Sequence, residues 1–352
     1  MLNKAVIRNF GPLPSGDYQF APGLNVIVGE NGLGKSQLLK LLYAVLKVNA
    51  DAKELTKAEL QKAYAEKLVG VFRPDGLGRL VKRRQGKERC EVRLDMQETA
   101  LSCSFSFASQ AKSEVQLDKA PGKVLAQAPA YIPTRELVTL CPWFGPLYDN
   151  YHLRFEESWR DTVSLLGAPS VKGPREKKAA ELLKPLEAAM GGKVVVEPGT
   201  GEFYLNIPGE GNMEMPLVAE GLRKLAMLAR LISTGVLLDK GYLVWDEPET
   251  NLNPKLIKVV ARSILTLCQQ GIQVFIATHS LFLMRELEII QQEKPFQAIA
   301  PRFFALKAGD AGAATSLEQG SNLYDIQTLV LLDEELHQSE RFMAAEGLHA
   351  RD

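Results

Sequence analysis

Apolar positions along this chain switch between two spacings, and the switches outline strands alternating with helices. KAVIRNF near the start alternates, PSGDY is rich in turn formers, and LNVIVG is a continuous apolar run closed by glycine. Such a run suits a strand buried on both faces of a parallel sheet. ENGLGKS follows, then QLLKLLYAVLKV with leucines at helical spacing, so the order is strand, glycine loop, helix. DAKELTKAELQKAYAEKL, about residues 50–68, predicts an exposed charged helix. VGVFRP, GRLVKRR, CEVRLDM and LSCSFSF are short stretches between turn signals, and they predict an antiparallel β-subdomain over about 69–120. KVLAQAPAYIP predicts another core strand. About 137–192 reads as a helical insert broken at Pro142, Pro146, Pro169 and Pro174. GKVVVEPGTGEFYLNI predicts a hairpin around its Pro-Gly-Thr-Gly turn, and AEGLRKLAMLARLISTGVL an amphipathic helix. GYLVWDEP and IQVFIATHS are apolar strands with polar ends, separated by the helical NPKLIKVVARSILTLCQQ. RFFALKAG predicts a strand and IQTLVLLDEELHQSERFMAAE a final helix, on which Asp333, Glu334 and Glu335 form a solvated face.

The chain has 352 residues, 46% of them hydrophobic, which is ample for one large domain over 1–352. Lys plus Arg and Asp plus Glu number 42 each, so the net charge is zero. A neutral total argues against a nucleic-acid coat protein but leaves room for local basic patches. The four cysteines are scattered without a CxxC pair, and only four histidines could assist them, so neither a zinc site nor a disulfide framework is expected. The N-terminus lacks the apolar core of a signal peptide, and no stretch approaches the roughly 20 apolar residues of a membrane span. A cytoplasmic location is expected, with any membrane role requiring a partner chain.

Chemistry concentrates in three places. Gly29-Glu30-Asn31-Gly32-Leu33-Gly34-Lys35-Ser36 fits G-x-x-x-x-G-K-[ST], set between a predicted strand and a predicted helix. Its glycines allow a tight turn whose N–H groups face an anion, and the helix N-terminus favours phosphate. Lys35 would reach the β- and γ-phosphates of a nucleotide, and the Ser36 hydroxyl would ligate Mg²⁺. Asp246 and Glu247 end a second apolar strand. Adjacent residues face opposite sides of a strand, so Asp246 can serve the metal while Glu247 polarises the attacking water as general base. His279 ends a third strand, one helix further on, where an imidazole can touch a γ-phosphate or the water.

In this order, KAVIRNFGPL, LNVIVGENGLGKSQLLKLLYAV, LVWDEPETNLNPK and ATHS resemble the first strands, Walker A, Walker B with D-loop, and switch histidine of the ABC-type ATPase heads of the RecF, SMC and OLD-like group. The resemblance covers roughly residues 1–48, 125–136 and 193–285. It implies an α/β P-loop NTPase: a mixed central sheet, an antiparallel β-subdomain and a helical lobe carrying the signature. It implies ATP and Mg²⁺ as ligands, with Gly29, Asn31, Gly32, Gly34, Lys35, Ser36, Gln37 and Asp246 contacting nucleotide or metal. Glu247, His279 and Lys35 carry catalysis. Leu217-Val218-Ala219-Glu220-Gly221-Leu222-Arg223-Lys224 resembles the signature segment, with Ala219 where the usual serine would bond a γ-phosphate across a dimer. Ala219, Glu220, Gly221 and Asn253 of the D-loop are thereby assigned to nucleotide contact across the seam, with Arg223 or Lys224 supplying charge. No glutamine stands at the Q-loop position. Thr134 or Glu136 can substitute there, and Gln127 fits less well.

The insert between the motifs has no heptad pattern, which excludes the long coiled coil of an SMC protein. The stretch after Ser280 is too short for the Toprim nuclease of an OLD protein. The resemblance therefore points to stand-alone ATPase subunits of bacterial anti-phage systems, such as Septu-, PARIS- and retron-associated ones. In that setting a homodimer or higher oligomer closes on ATP and regulates a separate effector, a nuclease. The alternative is a RecF-like repair ATPase that clamps DNA; a transporter's ATP-driving subunit fits less well without the Q-loop glutamine. DNA or RNA contact has two candidate basic groups: Arg79, Lys82, Arg83, Arg84, Lys87 and Arg89, then Lys172, Arg175, Lys177 and Lys178.

Overall fold

The computed structural model describes residues 1–82, 88–151, 153–309, 315–326, 334, 337–343 and 345. The apolar runs do what their pattern demands. β3 (Leu24–Gly29), β12 (Gln273–Ala277), β11 (Tyr242–Asp246) and β7 (Ala130–Ile132) lie parallel, with β13 (Arg302–Lys307) parallel to β3 on its other side. β14 (Ser316–Gly320) pairs antiparallel at the edge, so the six-stranded sheet is mixed, in the order β14-β13-β3-β12-β11-β7. Alternate side chains of each run enter different cores. Leu24, Val26, Leu243, Trp245, Val274, Ile276 and Phe303 face one, while Ile27, Val244, Phe275 and Phe304 face the other.

The first core is completed by α6 (Glu220–Ser233), α7 (Pro254–Gln269), α8 (Leu281–Gln291) and the helical segment α3 (Cys141–Tyr151), α4 (Glu157–Gly167) and α5 (Pro174–Met190). The second is completed by α1 (Lys35–Asp51), α2 (Lys57–Phe72) and an antiparallel sheet. That sheet runs β2 (Gly16–Gln19), β1 (Leu2–Arg8), β4 (Arg89–Met96), β5 (Cys103–Ala108), β6 (Gln116–Lys119). In β4, buried Cys90, Val92, Leu94 and Met96 alternate with exposed Arg89, Glu91 and Arg93, the pattern of a sheet with one wet face. All four cysteines are free and buried.

Two buried amides join the layers. Gln273 of β12 accepts from the Leu2 N–H at 2.8 Å and donates to the carbonyls of Leu2 and Ala21, each at 2.7 Å. Asn25 of β3 accepts from the Ala21 N–H at 2.8 Å and donates to the Ala21 carbonyl at 3.0 Å. At the edge, Gln319 of β14 accepts from the Gln19 N–H and donates to the Asp17 carbonyl, so it covers β2. At the opposite edge the Thr162 hydroxyl of α4 donates to the Tyr131 carbonyl of β7 at 2.6 Å.

Several sequence expectations need correction. Residues 69–72 belong to α2, because Leu60, Tyr64, Leu68 and Val71 form one buried helical stripe; that helix is not exposed all round. It stops at Arg73, which turns left-handed at φ 53°. The antiparallel sheet recruits β1 and β2, which the alternation alone could not assign to a sheet. Leu77–Leu80 is a 3₁₀ turn where GRLVKRR predicted a strand, and residues 83–87, with Arg83, Arg84 and Lys87, lie outside the described residues. Only Ala130–Ile132 of KVLAQAPAYIP is strand. The predicted hairpin, β8 (Lys193–Val196) and β9 (Phe203–Ile207), gains a third strand, β10 (Gly211–Glu214). Pro142 and Pro146 fall inside α3, and Pro174 opens α5, where a missing N–H costs little. Glu334 is exposed on a helical residue, and Asp333 and Glu335 lie outside the described residues.

Gln273→Ala should destabilise the fold by about 2–4 kcal/mol, since it strands Leu2 and Ala21 backbone groups away from water. The half-buried Gln319→Ala should cost less than about 1 kcal/mol. Urea unfolding of both variants measures the difference.

Candidate nucleotide site

Parallel packing brings the polar ends of three apolar strands side by side. Ile27 of β3 is in register with Ala277 of β12, and Ala277 with Asp246 of β11. The turns that follow carry the phosphate loop, the acid pair and His279. The loop leaves β3 through Gly29 at φ 144°, where a Cβ would stand 2.5 Å from the Leu306 carbonyl oxygen. It enters α1 through Gly34 at φ 99°, where a Cβ would stand 2.8 Å from the Leu13 side chain. Only glycine meets both demands at both positions. Asn31 and Gly32 are exposed at the loop tip.

Lys35, buried at the start of α1, donates to the carbonyls of Gly29 at 2.7 Å and Glu30 at 3.1 Å. Burial pushes its pKa down, against the opposing pull of Glu247, Asp246 and Glu249. Ser36 stands beside Asp246, which is 5% exposed; burial lifts that carboxyl to about 6, with Ser36 pulling the other way. One Asp246 oxygen, Oδ1, is buried without a hydrogen-bond partner. A buried carboxylate with one unsatisfied oxygen beside a serine hydroxyl fits a hard cation that takes its remaining ligands from phosphate and water. Among the described residues, no group of three or more His, Cys, Asp or Glu side chains could hold a metal by itself.

Glu247 adopts φ 47°, unusual for a non-glycine residue. Its N–H donates to the Ala277 carbonyl at 2.9 Å, its carbonyl accepts from the Lys224 ammonium at 2.5 Å, and its carboxylate accepts from the Thr250 hydroxyl at 3.2 Å. His279 Nδ1 stands 3.3 Å from Glu247 Oε1, and His279 is half exposed. Phosphate loop, acid pair and histidine therefore lie together at the carboxyl ends of three neighbouring strands.

The structure superposes on an SMC head bound to the C-winged helix domain of ScpA with a TM-score of 0.54, at 13% identity, over 93% of this chain and 99% of that one. It superposes on an Smc head domain with an extended coiled coil, bound to the C-terminal domain of ScpA from Pyrococcus furiosus, with a TM-score of 0.52 at 11% identity, over 97% and 99% of the two chains. The fold is that of an SMC-type ABC ATPase head. A family model described as "AAA domain, putative AbiEii toxin, Type IV TA system" matches residues 146–285. A 138-residue stretch is 25% identical to the DNA replication and repair protein RecF of Pectobacterium atrosepticum, and equally to that of Klebsiella pneumoniae. The match covers 39% of this chain, which spans 32% of the length of those relatives.

Other residues singled out from sequence fall elsewhere. Ala219 and Glu220 are exposed at the start of α6, and no hydrogen bond or ion pair joins them to the phosphate loop among the described residues. Gly221 is packed on the head's own D-loop turn: a Cβ there would stand 2.5 Å from the Asn251 carbonyl oxygen. The Asn253 side chain caps α7, accepting from the Leu256 N–H at 3.0 Å. The Gln37 side chain lies against Gly11, and Gln127 is exposed. Glu136 is held by the Thr139 hydroxyl at 2.6 Å and by Arg223 at 3.0 Å. Thr134 is half-buried in the turn after β7.

Neither Arg223 nor Lys224 is a spare charge. Arg223 is bound to Glu136, and Lys224 is buried against the Glu247 and Thr250 carbonyls, with its pKa pushed down to about 8 by burial. Lys224 and Arg230 are both cations buried on α6, a signal visible in AEGLRKLAMLARLIS as charge within the apolar stripe. In the basic groups, Arg89 is tied to Ser106 and Gln116, Arg175 to Asp239, and Lys178 to the Leu238 carbonyl.

The raised pKa of Asp246 has a definite sign. The folded state holds this proton more tightly than the unfolded chain, so its contribution favours folding below about pH 4 and is lost as pH rises through about 6. Asp246→Asn should therefore raise stability by on the order of 2–3 kcal/mol near pH 8 and by much less near pH 4. Urea unfolding without Mg²⁺ or nucleotide at the two pH values checks this.

Proposed function

We propose that this chain is an ATPase that binds Mg-ATP on its phosphate loop, closes as a homodimer or higher oligomer across the nucleotide, and regulates a separate effector, a nuclease, in anti-phage defence. The carrying observation is the Ser36–Asp246 pair with its unsatisfied Oδ1, at a strand end shared with Glu247 and His279. Ser36 and Asp246 would hold Mg²⁺, which supplies charge neutralisation at the phosphates. Lys35 would exchange its two carbonyl partners for β- and γ-phosphate oxygens, a trade favoured by its burial. Glu247 would take a proton from the attacking water, and His279 would steady the water or the γ-phosphate. Gly29, Asn31, Gly32 and Gly34 would line the phosphates with backbone N–H groups, with Gln37 near the metal.

A second head would present Ala219, Glu220, Gly221 and Asn253. Ala219 brings no hydroxyl, so its contribution would be backbone N–H groups at the exposed start of α6. The match to the toxin–antitoxin family model and the short helical segment in place of a coiled coil support the defence role. The reading includes a cytoplasmic location, the compartment in which four unpaired thiols persist. No helix among the described residues is long and apolar enough to cross a membrane.

The RecF similarity favours a second reading, a DNA-maintenance ATPase that clamps DNA, with contact through the remaining basic residues. Co-purification with a neighbouring nuclease would favour the first reading. Salt-sensitive DNA binding that tightens with ATP, without such a partner, would favour the second.

Glu247→Gln should cut turnover by about a hundredfold or more while keeping ATP bound, and Lys35→Ala should lose binding. Light-scattering mass of Glu247→Gln should rise on adding Mg-ATP. Unchanged turnover in Glu247→Gln would remove the base assignment.

A further inference from the structure

The third acid of the Walker B turn, Glu249, has no part in the reading so far. Its side chain is buried to 7% exposure, and it acts through space on the ammonium groups of Lys224 and Lys35 without an ion-pair contact to either among the described residues. Oε1 accepts from the Thr278 hydroxyl at 2.6 Å and from the His279 N–H at 3.2 Å, and lies 3.8 Å from His279 Nδ1. Oε2 is buried with no hydrogen-bond partner. Burying a carboxylate with one oxygen unsatisfied costs stability, so its retention calls for an explanation. Both donors to its carboxylate belong to the turn after β12, and Thr278 in turn accepts from the Ser280 N–H at 3.0 Å at the cap of α8. The carboxylate thus grips the Thr278 side chain and the backbone N–H of the histidine itself. Glu247 Oε1 stands 3.3 Å from the same Nδ1, so two carboxylates from one turn converge on that ring nitrogen.

We propose that Glu249 is the positioning residue for His279: it fixes the switch turn and the ring, so that the imidazole faces the Glu247 carboxylate and the phosphate-loop mouth. The inference rests on the hydrolysis reading above and adds a residue whose hydrogen bonds act on the histidine's turn, beside its through-space pull on Lys35 and Lys224. The geometry separates this role from general support of the fold. Among the described residues the Glu249 carboxylate makes no hydrogen bond to either sheet's ladder or to the phosphate loop, and its acceptor contacts end on Thr278 and His279. A glutamine would keep the shape and an amide oxygen but lose the charge beside Nδ1, whereas an alanine would release the turn.

The test is a double-mutant cycle on the full-length chain, combined with a measurement that needs no turnover. Glu249→Gln and Glu249→Ala should lower kcat about 10-fold or more with ATP affinity changed less than about twofold. In a His279→Ala background the same substitutions should change kcat less than about twofold, since the residue through which Glu249 acts is gone. In parallel, nitrogen-15 NMR of the imidazole and of the His279 amide, assigned by comparison with His279→Ala, should shift in Glu249→Gln without nucleotide. An equal loss of kcat in both backgrounds, or His279 signals unmoved by Glu249→Gln in a folded variant, would overturn the proposal. Absence of turnover in the unsubstituted chain would sink the hydrolysis reading instead, and the NMR arm would still decide whether Glu249 positions the ring.

Discussion

A parallel sheet buried on both faces has nowhere for polar side chains except its ends. That constraint organises this molecule. Helices cover one face of β3, β12, β11 and β13; α1 and an antiparallel sheet cover the other. Apart from the amides Asn25 and Gln273 near their amino ends, the strands are therefore apolar from side to side, and the polar residues crowd into the turns at their carboxyl ends. Lys35, Ser36, Asp246, Glu247, Glu249 and His279 meet there because the register of three strands brings those turns to one level. The same burial that supports the sheet desolvates the site. It lifts Asp246, lowers Lys35 and Lys224, and leaves two carboxylate oxygens without partners. The site is thus electrostatically uncomfortable where an anion with its cation would relieve it.

A second theme is how closely α6 is tied to its own head. Gly221 lies on Asn251, Arg223 reaches Glu136, and Lys224 holds the carbonyls of Glu247 and Thr250. The exposed beginning of the helix and the backbone of the acid at the cleft are therefore linked through less than two helical turns. The left-handed conformation of Glu247 is retained by hydrogen bonds on both sides of its own peptide units.

The central strands, the glycine loop, the acid pair and the histidine were legible because each is a local pattern with a local cause. Apolar runs encode burial, glycines encode a turn, and polar ends encode the open edge of a layer. What escaped depends on tertiary approach. Alternation marks β1 and β2 as strands but does not say that they leave the central sheet to pair with β4. Val69 and Val71 read equally as strand or helix until Leu60, Tyr64 and Leu68 set the helical stripe. Arg223 and Asn253 carry groups suited to a nucleotide, and only the folded chain shows Glu136 and the Leu256 N–H already using them. Glu249 stands in plain view beside Pro248, but its partners are about 30 residues away on another strand.

The amides and hydroxyls at the sheet margins bear on how heads can meet. Gln319 occupies backbone groups of β2, and Thr162 occupies the Tyr131 carbonyl of the three-residue β7. An exposed strand edge recruits any other strand, with no regard to what the protein has bound. Covering these groups takes one edge of each of these two sheets partly out of that indiscriminate route. In the proposed closure, contact between copies would fall to the loops and helix ends at the carboxyl ends of the strands, where it can be made conditional on cargo.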